Sequence, residues 1–335
     1  MSSSDRQIIN SDCIIIGGNI TGLITASILQ RRGIKATLIE EAGQIGGQLV
    51  TRQVTGTDNI KGVFDYGTQY FNVETPEFQI WVNEWLGNKV IRKWSDGFDK
   101  TDLRPCYCGR NGMQDVAEYL GKDLNISTNT KVVDVSYEKK WSIETQNSQV
   151  YQGDMLVMAS PIPKSLSLLD ASFIALPLEL RFALEKIEYG KRITVLALLE
   201  NPSSIAAPGG INLKTDALSW LGDNHQKGIS PNGYAVTIHA SQKFSDEYWD
   251  SDDAEIIYKL ITAAADYLGS SVIKYEIHRW NYDLPQSAYN ESCLTLSELP
   301  LVLAGDAFVA PTIEGAVTSG IAAGDLISQR FGVRI

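Results

Sequence analysis

The amino-acid sequence predicts an α/β fold of two domains, and three observations carry that expectation. Cys13 to Ile16 is a run of apolar, β-favouring residues that ends at Gly17-Gly18, after which Ile20, Leu23, Ile24 and Ile28 recur at helical spacing. The hydrophobic period thus switches from strand to helix across a glycine turn. Ile34 to Ile39 forms a second strand closed by Glu40, 18 residues beyond Gly22. At the other end of the chain, Leu299 to Ala304 reads as a buried strand followed by a helix from Glu314 to Arg330, which completes the first domain. At 335 residues the chain exceeds ordinary single-domain size.

The chemistry of the opening unit follows from its backbone. Gly17, Gly18, Thr21 and Gly22 approximate the G-x-G-x-x-G pattern in which the amides and dipole of a helix N-terminus attract a pyrophosphate. Glu40 at the end of the second strand is placed to accept hydrogen bonds from a ribose. These features predict a Rossmann-like domain that holds a dinucleotide. One position departs from the pattern. Asn19 stands where glycine normally lets the backbone approach the phosphates, although asparagine tolerates unusual backbone angles better than most residues.

The remaining elements follow in order. Gln44 to Gln53 is a glycine-containing loop, and Thr75 to Leu86 is helical, with Pro76 in a permitted first-turn position and Phe78, Trp81, Val82 and Trp85 on one face. Val90 to Phe98 reads as a strand and Met113 to Leu120 as a helix. Lys131 to Tyr137, Trp141 to Thr145 and Val150 to Met158 read as an antiparallel meander stopped by Pro161 and Pro163. A second region from about Lys164 to Cys293 carries a helix at 176–187, strands at 192–199, 234–240 and 272–282, a turn-rich stretch through Pro202, Pro208, Gly209 and Gly210, and a helix at 252–268.

Composition narrows the partners. A net charge of −11 repels nucleic acid and anionic lipid, no apolar run approaches a membrane-spanning length, and the first twelve residues lack a signal-peptide core. Four scattered cysteines form no disulfide framework or metal-ligand set. A cytoplasmic monomer without metal is expected, acting on a small molecule.

Gly305-Asp306 closes the returning strand where a parallel sheet opens into its crevice, with Asp306 positioned for a ribitol hydroxyl. The helix after it bears Gly315, Ala316, Ser319, Gly320, Ala323 and Gly324, a face nearly free of side chains. Interior glycines cost a helix about 1 kcal/mol each relative to alanine, so a sheet or a flat ring system is expected to lie against them. A flavin fits because a helix N-terminus stabilises negative charge on its reduced ring.

Several blocks together resemble the renalase-like family of FAD-dependent flavoproteins, in the amine-oxidase and p-hydroxybenzoate-hydroxylase-like group. They are Phe64-Asp65-Tyr66-Gly67-Thr68-Gln69-Tyr70-Phe71, Arg110 to Met113, Ala159 to Pro163, Ile238 to Ser241, His278 to Pro285, Gly305 to Phe308, Ile313 to Ala316 and Ser319-Gly320. The resemblance implies a non-covalent FAD-binding Rossmann-like domain (1–75, 108–163 and 296–335) with an interrupting α+β substrate domain (76–107 and 164–295), a p-hydroxybenzoate-hydroxylase-like arrangement. Cofactor contacts are then expected at Gly17, Gly18, Asn19, Thr21, Gly22, Glu40, Glu41, Gly47, Gln48, Leu49, Gly67, Thr68, Val133, Gly305, Asp306, Glu314, Gly315 and Ala316. Gln48 replaces a family arginine, and Arg52 is the nearby cation that would partly restore its charge.

In such a family the substrates are isomeric dihydronicotinamide dinucleotides, the 1,2- or 1,6-dihydro forms of NAD(P), oxidised to NAD(P)+ by hydride transfer to flavin N5. Electrons then pass to oxygen or a quinone. Positioning supplies most of the catalysis in such a transfer. Tyr70, His239 and Trp280 are the expected ring-orienting residues, and Gln69 is expected to meet a carboxamide. An amine oxidase would share the fold and cofactor but use an aromatic cage and a lysine near N5. A chain that has lost FAD and serves only in binding is the third alternative.

Overall fold

The computed structural model describes residues 8–98 and 103–333, so part of the polar N-terminal stretch considered above, residues 1–7, lies outside it. The chain divides into two compact units.

The first unit comprises residues 1–47, 117–188 and 285–335. At its centre the strand Ile8–Ile16 lies parallel between Val150–Met158 and Ala36–Ile39, with Ile15 opposite both Val157 and Leu38. Leu301–Leu303 extends the sheet in parallel beyond Val150–Met158. The predicted meander is present, with Val132–Tyr137, Trp141–Thr145 and Val150–Met158 paired antiparallel in turn. A shared core explains this order: Ile14, Ile15, Leu38, Leu156, Val157, Val302 and Leu303 are all buried, as strands covered on both faces require.

The glycine-rich face of the C-terminal helix, Ile313–Arg330, corrects one expectation. Along Gly320 and Gly324 its partner is the first helix, Ile20–Arg31, rather than a sheet or a flat ring. A Cβ on Gly320 would lie 2.7 Å from the Thr21 carbonyl, and one on Gly324 would lie 2.8 Å from Ile28. The hydroxyls of Thr21 and Thr25 donate to the carbonyls of Ala316 and Gly320 at 2.9 and 3.1 Å. The helix tolerates its glycines because they admit a second backbone. The proline pair also does more than end a strand: Pro161 is the N-cap of a helix over Ile162–Ala171, with Pro163 in its first turn. Pro177 likewise delays the next helix to Leu178–Glu185.

The second unit comprises residues 48–116 and 189–284. Its five-stranded antiparallel sheet has the order Gly210–Asn212, Leu218–Asp223, Tyr234–Ala240, Arg192–Leu199 and Val272–Trp280. Alternation sorts the side chains. Ile193, Val195, Val236 and Ile238 face one way and pack with Phe244, Ile256 and Leu260 of the helices Gln242–Glu247 and Asp253–Leu268. The opposite face is apolar at one end, with Leu196, Leu198 and Ala235, and polar and aromatic at the other. Against that face lies the hairpin Thr51–Thr55 and Lys61–Asp65, whose start falls in the stretch expected as loop and whose second strand sequence patterning does not assign. The strand Leu218–Asp223 is likewise unforeseen, and the strand expected at 90–98 is a shorter one, Ile91–Ser95, paired with Cys106–Gly109.

Candidate active site

The first unit forms a cradle at the carboxyl ends of its parallel strands. Gly17 has a φ of +114°, and a Cβ there would lie 3.0 Å from the Ser160 amide of the neighbouring strand end. Gly22 is held more tightly, since its added Cβ would lie 2.0 Å from the Gly17 carbonyl. This third glycine packs the helix directly against the turn. Asn19 caps the helix: its Oδ1 accepts from the Gly22 amide at 3.1 Å, and its Nδ2 donates to the Ala159 carbonyl at 2.6 Å. The Cβ of Asn19 is accommodated by Gly47, where a second Cβ would approach it to 2.7 Å.

Glu40 ends the second strand as expected. Its Oε2 accepts from the Gly18 amide at 2.6 Å and its Oε1 from the Ala42 amide at 2.7 Å. Burial raises its carboxyl pKa, and the two amides oppose that shift. Each oxygen keeps a further lone pair for a ribose hydroxyl. Glu41 lies alongside and pairs with Lys164. Ala304 donates to Met158, and Gly305, with φ +155°, follows at the same edge, its amide held by the Ser319 hydroxyl at 2.9 Å. Asp306 comes next in the chain, and Thr312 caps the C-terminal helix by accepting from Gly315, beside Glu314 and Ala316.

The second unit assembles a different kind of surface. Trp220, His239, Thr194 and His278 are successive cross-strand partners, so they share one row on one face of the sheet. Arg192 and Trp280 form the adjoining row. Tyr66 packs on this face, stacked on Trp280 at 5.5 Å and edge-on to His278 at 5.1 Å. The Trp280 indole donates to the Tyr66 carbonyl at 3.3 Å. Gln69 Nε2 lies 3.5 Å from His239 Nε2.

Cations set the electrostatics here. Burial lowers the His239 pKa well below the ordinary imidazole value, and the Arg192 and Lys227 charges lower it further. His278 is pushed down to about 4 by burial and by Arg52 and Arg192. Both rings are neutral at pH 7. Arg192 pairs with Asp283 at 2.8 Å and donates to Gln48 Oε1 at 3.2 Å, while Gln48 Nε2 donates to Asp283 O. Gln48 is therefore part of this unit's polar framework. Arg52, the cation expected to compensate for it, instead pairs with Glu276 at 2.9 Å and lies over Tyr66; the guanidinium beside Gln48 is that of Arg192.

Below the row, Lys227 Nζ is fully buried 2.6 Å from Asp65 Oδ2 and donates to the Gln69 carbonyl at 2.6 Å. Asp65 Oδ1 accepts from Thr51 Oγ1 at 2.6 Å and the Met113 amide at 2.8 Å. This brace fixes the segment 65–69, in which a Cβ on Gly67 would lie 2.2 Å from the Gln48 carbonyl and the Thr68 amide donates to that same oxygen.

Comparison with known proteins decides the family. The description "Flavin containing amine oxidoreductase" matches residues 88–328, most of the chain, and "NAD(P)-binding Rossmann-like domain" matches residues 15–85. The chain belongs to the flavin-containing amine oxidoreductase family. Among similar solved structures are a putative protoporphyrinogen oxidase from Exiguobacterium sp. 255-15 (14% identity, TM-score 0.71, 98% of this chain and 100% of that one) and cyclohexylamine oxidase from Brevibacterium oxydans IH-35A (14%, 0.69, 96% and 99%). Putrescine oxidase bound to putrescine is a third (13%, 0.68, 96% and 100%). At these identities the likeness is one of fold.

As a flavin-containing amine oxidoreductase the chain uses FAD, and the cradle fits it. Gly17 and Gly18 keep Cβ atoms out of the turn, the helix begins at Ile20 so that its first amides face outward, and Glu40 stands half-buried at the strand end. Of the expected cofactor residues, Gly17, Gly18, Asn19, Thr21, Gly22, Glu40, Glu41, Gly47, Gly305, Asp306, Glu314, Gly315 and Ala316 belong to the first unit, and Gln48, Leu49, Gly67 and Thr68 to the second. Val133 lies in the first unit at a bulge of the meander, 43% exposed. Gln69, His239 and Trp280 come together on the polar face, whereas Tyr70 packs among Trp94, Phe98 and Trp220. Sequence reading missed Arg192, Thr194, Trp220 and the Asp65–Lys227 pair. A strand alternation around Arg192 and Thr194 was the available signal. No helix among the described residues is long and apolar enough to cross a membrane.

Proposed function

We propose that this FAD-dependent oxidoreductase is renalase-like and oxidises 1,2- or 1,6-dihydronicotinamide dinucleotides to NAD(P)+, passing the electrons to oxygen or a quinone. The observation that carries the reading is the pair of neutral histidines on an aromatic face. Burial first, and then the charges of Arg52, Arg192 and Lys227, keep protons off His239 and His278, and each of those cations is itself paired with Glu276, Asp283 or Asp65, so the face suits an uncharged flat ring better than an ammonium. FAD supplies the hydride acceptor. The protein's own part is to present a flat ring in one orientation, which the Tyr66, Trp280 and His239 surface supports through stacking and fixed hydrogen bonds. No base is required, in keeping with imidazoles held neutral.

Family membership favours the second reading, an amine oxidase. Two features weigh against it. Lys227 is clamped by Asp65 and the Gln69 carbonyl, and Tyr66 and Trp280 stack on each other at 5.5 Å rather than standing apart to admit an amine between them. Anaerobic addition of each dihydronicotinamide isomer and of a panel of amines, followed by flavin absorbance, separates the readings. Bleaching by an isomer is expected; bleaching by amines alone would remove the proposal, and a chain that takes up no FAD would remove the enzyme reading altogether.

A further inference from the structure

The segment of the first unit that joins the strand Leu301–Leu303 to the C-terminal helix holds a residue that its backbone does not suit. Val309 has a φ of +69°, and among the described non-glycine residues with positive φ it is the one β-branched residue. Two methyl groups on Cβ make that region especially unfavourable. The Ala310 amide donates to the Phe308 carbonyl at 2.9 Å, which closes a three-residue turn centred on Val309. With positive φ at its centre this is the rare, strained form of γ-turn. Neighbouring atoms fix its backbone. The Tyr289 amide donates to the Ala307 carbonyl at 2.7 Å and the Val309 amide to the Tyr289 carbonyl at 3.3 Å. Gly315, whose added Cβ would lie 2.0 Å from the Ala310 carbonyl oxygen, lets the helix press against the turn. The side chain is treated differently. Phe308 before it is fully buried, but Val309 is left 44% exposed, so packing within the chain offsets little of the strain. Strain kept where the chain itself gains little is a pointer to function.

The position of the turn says what it serves. Thr21 donates to Ala316 and Thr25 to Gly320, a separation of 295 residues in each case, so the first and last helices run parallel with their N-termini level. The turn at 308–310, pressed on the first turn of the last helix, therefore stands at the same end as the Gly17–Gly18 turn of the FAD cradle. We propose that Val309 is a cofactor-contacting residue whose methyl groups pack on the ring system of bound FAD. The phosphates fall to the amides at the start of the first helix, and the ring system is the part of FAD that apolar methyl groups can cover. Glycine would relax the turn but offer no such surface. The proposal rests on FAD use alone and goes beyond the choice of substrate.

The test titrates FAD into the full chain, follows flavin fluorescence, and records melting temperature without FAD and at a fixed excess of it. In Val309→Gly the Kd for FAD is expected to rise about tenfold, the loss of one aliphatic contact. Without FAD the same variant is expected to melt about 1–3 °C higher, because the strain is gone. With FAD that gain should vanish, since weaker binding stabilises less. Stability and affinity thus move in opposite directions, which a residue that only shapes the loop would not produce. A Kd within about twofold of the original overturns the proposal and makes the strain purely structural. A lower melting temperature without FAD also overturns it, because the side chain would then serve the protein's own packing. Should Val309→Gly fail to fold, Val309→Ala, which keeps Cβ but removes both methyl groups, decides: a Kd raised about fivefold supports the contact and an unchanged one overturns it. An unaltered chain that takes up no FAD overturns the proposal together with the cofactor assignment, whereas FAD binding indifferent to residue 309 overturns the proposal alone.

Discussion

The cradle of the first unit and the polar face of the second differ in how completely they satisfy themselves. In the cradle the loop, strand end and helix cap are bonded to one another: Glu40 holds Gly18 and Ala42, Asn19 holds Gly22 and Ala159, and Ser319 holds Gly305. On the polar face Gln69 Oε1, Thr194 Oγ1 and Trp220 Nε1 are buried without partners. A self-satisfied backbone turn presents a general phosphate site, whereas buried side-chain groups without partners leave their pairing open. The proposed function assigns cofactor affinity to the cradle and choice of substrate to the face.

The sharpest challenge to that contrast is the Asp65–Lys227 brace, which is fully satisfied yet belongs to the face. Lys227→Met leaves the Asp65 carboxylate buried without its cation and is expected to cost about 3–5 kcal/mol, read from urea unfolding. Adding Asp65→Asn should recover part of this, since the two side chains act as one unit. A loss under 1 kcal/mol in the single variant would show that the brace is not what holds the segment 65–69.

Next in size is Gly22→Ala. The added Cβ meets a backbone oxygen at 2.0 Å and cannot be relieved by a rotamer change. A destabilisation of about 1–3 kcal/mol is expected, with loss of bound flavin absorbance on purification. Full flavin content would mean that the cradle is more deformable than its packing implies.

These two positions also differ in how legible they are. The cradle is written in contiguous residues, because a turn that must reach positive φ and approach a helix demands glycine at set spacings, and the acid falls where the next strand ends. The face is assembled from four strands. Trp220, His239, Thr194 and His278 lie up to 84 positions apart in the chain and become neighbours only through register. Lys227 comes from a loop after the strand Leu218–Asp223, which its Gly and Trp content concealed. The small-residue helix was misread for a related reason: a bare face signals close approach but does not name the partner, and here it is Ile20–Arg31.

A pH dependence sharpens the comparison further. His278 takes a proton near 6.5 when unfolded but only near 4 when folded, so the unfolded chain binds more protons between those values and stability must fall as the pH drops through them. The contribution is complete above pH 6.5. His278→Asn is expected to flatten the change in urea midpoint between pH 7 and pH 5 by about 1 kcal/mol, once solvent screening of this partly exposed ring is allowed for. An unaltered slope would show that neither burial nor the nearby cations hold the proton off the ring.

The smallest expected effect concerns the departure at Asn19. Its amide is spent inside the cradle, capping Gly22 and reaching back to Ala159, and Gly47 makes room for its Cβ. The side chain thus serves the turn rather than standing across the helix end. Asn19→Gly should cost a few tenths of a kcal/mol as one acceptable cap replaces another. FAD affinity, measured by reloading the apoprotein, is expected to stay within about threefold of the original, an energy below that of a single hydrogen bond. A tightening of tenfold or more would mean that the asparagine obstructs the phosphates, and the cradle would then be a partly disabled site rather than a complete one.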